Sequence, residues 1–183
     1  MGSTEVIVVG VDGSTESIAA VTWASHRSAR TGARIHCVCT YALASYSAAA
    51  LDGGYAVLDD EALQKGAQQV VDEAVAHATK HGAKNAAGSI QPGDPAGVLI
   101  DFSKEADLVV VGSRGSGGFA DRLLGTVSSA LPAHAKCPVV VVPRHTSGKK
   151  FTPVERIVVG IDGTEAPSSA LRRSVEEAQT WGA

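Results

Sequence analysis

Five short apolar runs punctuate the chain: EVIVVGV (Glu5 to Val11), ARIHCVCTY (Ala33 to Tyr41), NAAGSIQ (Asn85 to Gln91), ADLVVVG (Ala106 to Gly112) and CPVVVVP (Cys137 to Pro143). Most are β-branched and apolar at successive positions, as strands covered on both faces should be. The segments between them are longer and carry helical signals. Ser14 is placed to cap a helix running to about Arg30, with Ile18, Val21 and Ala24 on one face and Gly32 as its terminator. A long alanine- and serine-rich connection leads to a second helix over roughly Leu58 to His81. Pro92-Gly93-Asp94-Pro95 ends the third run, and Asp94 caps a short helix with Pro95 in its first turn. A last helix runs from Gly125 towards Ala135. The resulting β-α-β-α-β-α-β-α-β order predicts an α/β fold, an open parallel five-stranded sheet with helices on both faces.

The pattern then starts again. Glu5 to Ala33 aligns without gaps on Glu155 to Ala183, at an offset of 150 residues and with ten of 29 positions identical. A repeat of this period is a domain duplication, since solenoid units are much shorter. Between the copies, PRHTSGKKFTPV (Pro143 to Val154) is polar, basic and bounded by prolines, as a linker is. The expected organisation is one complete domain over residues 1–143, a linker over 144–154, and the first β-α unit of a second copy over 155–183. ERIVVGID reads there as a buried-type strand without its own sheet. It must pack on the first domain, join another molecule's sheet or stay disordered; ordering by intermolecular packing is the expectation.

In an open α/β sheet, ligands sit beyond the carboxyl ends of the strands, where connections leave in opposite directions. Two strand ends carry suitable chemistry: Gly10-Val11-Asp12-Gly13-Ser14 after the first and GSRGSGGFADRLLGTVSS (Gly112 to Ser129) after the fourth. If strands one and four are neighbours, both loops border one crevice. Gly112, Gly115, Gly117 and Gly118 would allow close approach and positive φ. Thr126 and Ser128 would place hydroxyls near the positive end of the last helix. A solvent-exposed turn would also be rich in glycine, and Asp12 alone could be a turn residue. Phe119 could shield a phosphate or fill the crevice. No GxxxxGK[ST] is present. Gly115-Ser-Gly117-Gly-Phe-Ala120 matches G-x-G-x-x-A, but its downstream strand offers no acid for a ribose.

The spacing Gly112-x2-Gly115-x9-Gly125-Thr126, preceded by ADLVVV and followed by a helix and PVVVVP, resembles the ATP-binding members of the universal stress protein family. IVVGVDGS resembles that family's first strand and acidic turn. The resemblance covers about residues 5 to 143 and implies a Rossmann-like fold of the adenine nucleotide alpha-hydrolase type. It also implies a site. Val11 and Asp12 would lie near the adenosine and the metal–phosphate region, and the backbone of Val38 near the adenine edge. Gly112, Arg114 and Gly115 would line the ribose and phosphates, while Gly125, Thr126, Val127 and Ser128 would bind the phosphate tail. No lysine stands in the motif, so Mg²⁺ or Mn²⁺ would offset the phosphate charge. The resemblance further implies a homodimer through the fifth strand, which is short, apolar and at a sheet edge.

Composition narrows the alternatives. A net charge of -3 gives no electrostatic reason to expect nucleic acid. No apolar run approaches the ~18 residues of a membrane span, and MGSTEVIVVG lacks the features of a signal peptide; a cytoplasmic protein is expected. Cys37, Cys39 and Cys137 have no metal-ligand or redox spacing and read as reduced, small apolar residues. His77 and His81 stand i,i+4, but HATKH lacks the glutamate of HExxH and reads as a solvated helix face. Nothing resembles the GxSxG nucleophile elbow. Hydrolysis needs a positioned base, and Asp12 is the one acid in the loops that could serve. The expected function is therefore nucleotide-dependent regulation in stress response, with slow ATP hydrolysis, phosphotransfer or a nucleotide-independent dimeric scaffold as alternatives.

Overall fold

The computed structural model describes residues 4–41, 60–116, 124–144, 151–161 and 167–183. Gly117, Gly118, Phe119 and the long connection after the second strand lie outside the described residues. Five strands, β1 (Val6–Gly10), β2 (Arg34–Tyr41), β3 (Ala86–Pro92), β4 (Leu108–Gly112) and β5 (Val139–Val142), form one sheet in the order β3-β2-β1-β4-β5. Every pairing is parallel. The helices are α1 (Thr15–Thr31), α2 (Asp60–Lys80), α3 (Pro95–Phe102), α4 (Thr126–His134) and α5 (Pro167–Trp181).

The two-residue period of the strands sorts their side chains into two cores. Ile7, Val9, Ile35, Cys37, Cys39, Leu108 and Val110 pack with Val21 and Ala24 of α1 and Val71, Ala74 and Ala78 of α2. Val8, Val38, Val109 and Val111 face the other way, onto Leu99 of α3 and Leu131 of α4. Both faces are covered, which is why the runs are apolar without alternation. Burial in the first core pushes the Cys37 thiol up to about 12, so it stays protonated.

Local signals act as expected around α1. The Ser14 side chain accepts from the Ser17 N–H at 3.1 Å, and Gly32 closes the helix in the left-handed conformation at φ 77°. His77 and His81 differ from expectation. Their rings stack at 4.0 Å in the seam between α2 and α1, where His77 Nε2 meets Thr22 Oγ1 at 2.8 Å. The face read as solvated is partly buried because α1 packs on it.

The second repeat also differs. Its helix forms as α5, but residues 155–161 form no strand, and Val158 and Ile161 are 86% and 70% exposed. The physical reason lies in the pairing. β1 holds its conformation between β2 and β4, whereas residues 155–161 pair with no strand among the described residues, and an unpaired strand is not stable alone.

Candidate functional site

The order β3-β2-β1-β4-β5 reverses its direction of growth at β1, so the connections after β1 and β4 diverge and leave a crevice between them. Val9 of β1 stands opposite Val110 of β4, as a shared crevice requires. A cavity of about 530 Å³ opens there. All ten residues singled out from the sequence line it: Val11, Asp12, Val38, Gly112, Arg114, Gly115, Gly125, Thr126, Val127 and Ser128.

Asp12 ties the two loops together. One carboxylate oxygen accepts from the Ser14 N–H at 3.0 Å and from its hydroxyl at 2.6 Å; the other accepts from the Ser116 N–H at 2.6 Å. Burial alone would raise the carboxyl's pKa, but the hydrogen bonds from Ser14 and Ser116 outweigh it and hold the pKa below the ordinary value. Asp12 is a fixed negative charge at the crevice wall.

The three glycines of the motif have different jobs. A Cβ on Gly112 would lie 2.7 Å from the Glu16 carbonyl carbon, and one on Gly115 would lie 2.5 Å from the Asp12 carboxylate. Both glycines are needed for the loops to close on α1 and on Asp12. Of the two freedoms that glycine offers, these positions use close approach, and neither has positive φ. Gly125 is different: a Cβ there meets nothing nearer than 3.5 Å, so its bareness keeps space open in the crevice.

Gly125 is also the N-cap of α4 and contributes no side-chain cap. The first intrahelical bond is Ser129 N–H to Gly125 O at 3.0 Å. The N–H groups of Thr126, Val127 and Ser128 precede it and have no partner within the helix. They form the positive pole of the site. The Ser128 hydroxyl is occupied elsewhere. It donates to the Ser113 carbonyl at 2.7 Å, is shared with the Gly125 carbonyl at 3.1 Å, and lies buried. Ser128 thus brings a backbone donor to the crevice, with its hydroxyl spent on closing the loop. The Val38 carbonyl likewise accepts from the Val11 N–H at 2.9 Å, which carries the β1–β2 pairing one residue into the β1 loop.

Residues that the motif did not flag complete the lining, among them Ser17, Thr40, Asp94, Leu99 and Ser116. Asp94 was legible only as a helix cap, and it is one: its side chain accepts from the Gly97 N–H at 2.9 Å. Its place at the carboxyl end of β3, on the same edge as the other two loops, was the available signal.

Residues 4–143 match the universal stress protein family along their whole span. The chain belongs to that family. The universal stress protein Rv2623 of Mycobacterium tuberculosis is 34% identical over 185 residues, covering 94% of this chain and 59% of its own length. This universal stress protein therefore spans about three-fifths of a relative it matches. Among solved structures, UspA from Lactobacillus plantarum is 26% identical, with a TM-score of 0.66 over 78% of this chain and 99% of the other. A universal stress protein solved in complex with cAMP is 27% identical, with a TM-score of 0.58 over 78% of this chain and 98% of the other. These similarities establish the α/β architecture as that of universal stress proteins.

Proposed function

We propose that the crevice binds an adenine nucleotide, ATP, and that its occupancy is a regulatory signal in stress response. The observation that carries this reading is the first turn of α4. Three backbone N–H donors face a space that the bare Gly125 keeps open, as a phosphate chain requires. A volume of about 530 Å³ lies in the ordinary range for small-ligand sites. A relative of similar fold was solved with cAMP, another adenine nucleotide.

The residues present fit a metal carried on the phosphates rather than a protein-held ion. Among the described residues, no cluster of three or more His, Cys, Asp or Glu side chains could hold a metal. Three of the roughly four acceptor positions on the Asp12 carboxylate are taken. Mg²⁺ or Mn²⁺ arriving with the nucleotide would supply charge neutralisation to the phosphates, with Asp12 the carboxylate of this chain nearest to hold it. No described helix is long and apolar enough to cross a membrane. We read the protein as cytoplasmic, residues 155–183 as the start of a second copy and the β5 edge as the surface of a homodimer.

The purified protein is denatured and any released nucleotide identified by chromatography and mass. ATP in near-stoichiometric amount is expected. Protein that emerges empty, and shows no heat of binding when titrated with ATP and Mg²⁺, refutes the reading.

A further inference from the structure

The chain has two tryptophans, Trp23 in α1 and Trp181 in α5. Their rings face each other at 5.3 Å, and the Arg30 guanidinium lies 4.8 Å from the centre of the Trp181 ring. Beside them Arg27, 4% exposed, pairs with Glu5 at 2.9 Å and with Glu177 of α5. Glu177 also accepts from the Trp181 indole at 3.3 Å. Position 177 is the repeat counterpart of position 27. The two repeats thus meet at equivalent positions, with an arginine in one and a glutamate in the other.

The exposed apolar residues of the second repeat show which face is used. Val158, Ile161, Leu171 and Val175 are all more than half exposed, and their counterparts Val8, Val11, Val21 and Ser25 are at most 5% exposed. α5 therefore docks through the side that carries Glu177 and Trp181. The side corresponding to the sheet-facing surface of α1 is turned away.

We infer that the α1 face formed by Trp23, Arg27 and Arg30 is a receptor for α5 of the same chain, and that the Arg27–Glu177 pair restricts it to that helix. An α1 from a second copy on the same face would set guanidinium against guanidinium and strip Arg27 of its second acceptor. Two α5 helices would set Glu177 against Glu177. Like charges at a desolvated contact reject both arrangements. The inference rests on the repeat and the contact, and does not depend on the nucleotide reading.

Because both tryptophans sit in this contact, circular dichroism of the full chain reads it through the coupling of the two indoles. Trp23→Phe and Trp181→Phe should each abolish the coupling signal, which identifies its source. Glu177→Arg should abolish it with the sheet's melting intact. The exchange R27E/E177R should restore it in part: opposite charges again face each other across the contact, while the carboxylate moved to α1 lies beside Glu5 and the guanidinium moved to α5 lies beside Arg173. Glu177→Gln, on a helix outside the sheet, should weaken the signal and guards against misfolding of the reversed variant. A full signal in both Glu177→Arg and Glu177→Gln, or none in the unmodified chain, overturns the assignment. So does a signal regained on mixing the Trp23→Phe and Trp181→Phe proteins, since the helix would then come from a second copy.

Discussion

At the scale of single residues, the glycine motif divides into positions where the fold has no room for a side chain and one, Gly125, where it has. A methyl at position 112 would be driven into the backbone of Glu16. Gly112→Ala should lower the unfolding free energy by about 1–3 kcal/mol, and calorimetric melting reads the loss directly. Gly125→Ala meets no protein atom closer than 3.5 Å. It should keep stability within about 1 kcal/mol of the parent while weakening nucleotide binding measured by titration. Asp12 serves the fold as well. Its carboxyl is held below its ordinary pKa in the folded protein, so its stabilisation is present above about pH 4 and lost as pH falls through the depressed folded value. Asp12→Asn should cost about 1–3 kcal/mol near neutrality. Its melting temperature should then depend less on pH below about 4 than that of the parent.

Elements were legible where their own sequence carries both pattern and punctuation. Ser14, Gly32 and Asp94 set helix limits by local chemistry, and the structure uses all three. What the sequence could not hold is the identity of neighbours. The tetrapeptide IVVG occurs at 7–10 and again at 157–160; it is a central strand in the first place and no strand in the second. Strand formation depends on a paired sheet more than on intrinsic preference. The same limit hid the partner of the Ser128 hydroxyl. In the sequence it reads as a phosphate ligand, because the Ser113 carbonyl that takes its proton lies fifteen residues away. Ser128→Ala separates the two roles. It should cost about 1 kcal/mol of stability and leave nucleotide affinity within about threefold of the parent, since the backbone donor survives. A much larger loss of affinity in the same titration would return the hydroxyl to the ligand.

For the whole molecule, the crevice, the β5 edge and the outer face of α1 are separate surfaces on one sheet-and-helix body, and α1 reaches two of them. Its first turn presses Glu16 against Gly112 beside the crevice, and its later turns hold Trp23 and Arg27 against α5. Eleven residues separate Glu16 from Arg27, about 17 Å along the axis. One uninterrupted rod is therefore shared between the loop after the fourth strand and the helix at the tail of the chain.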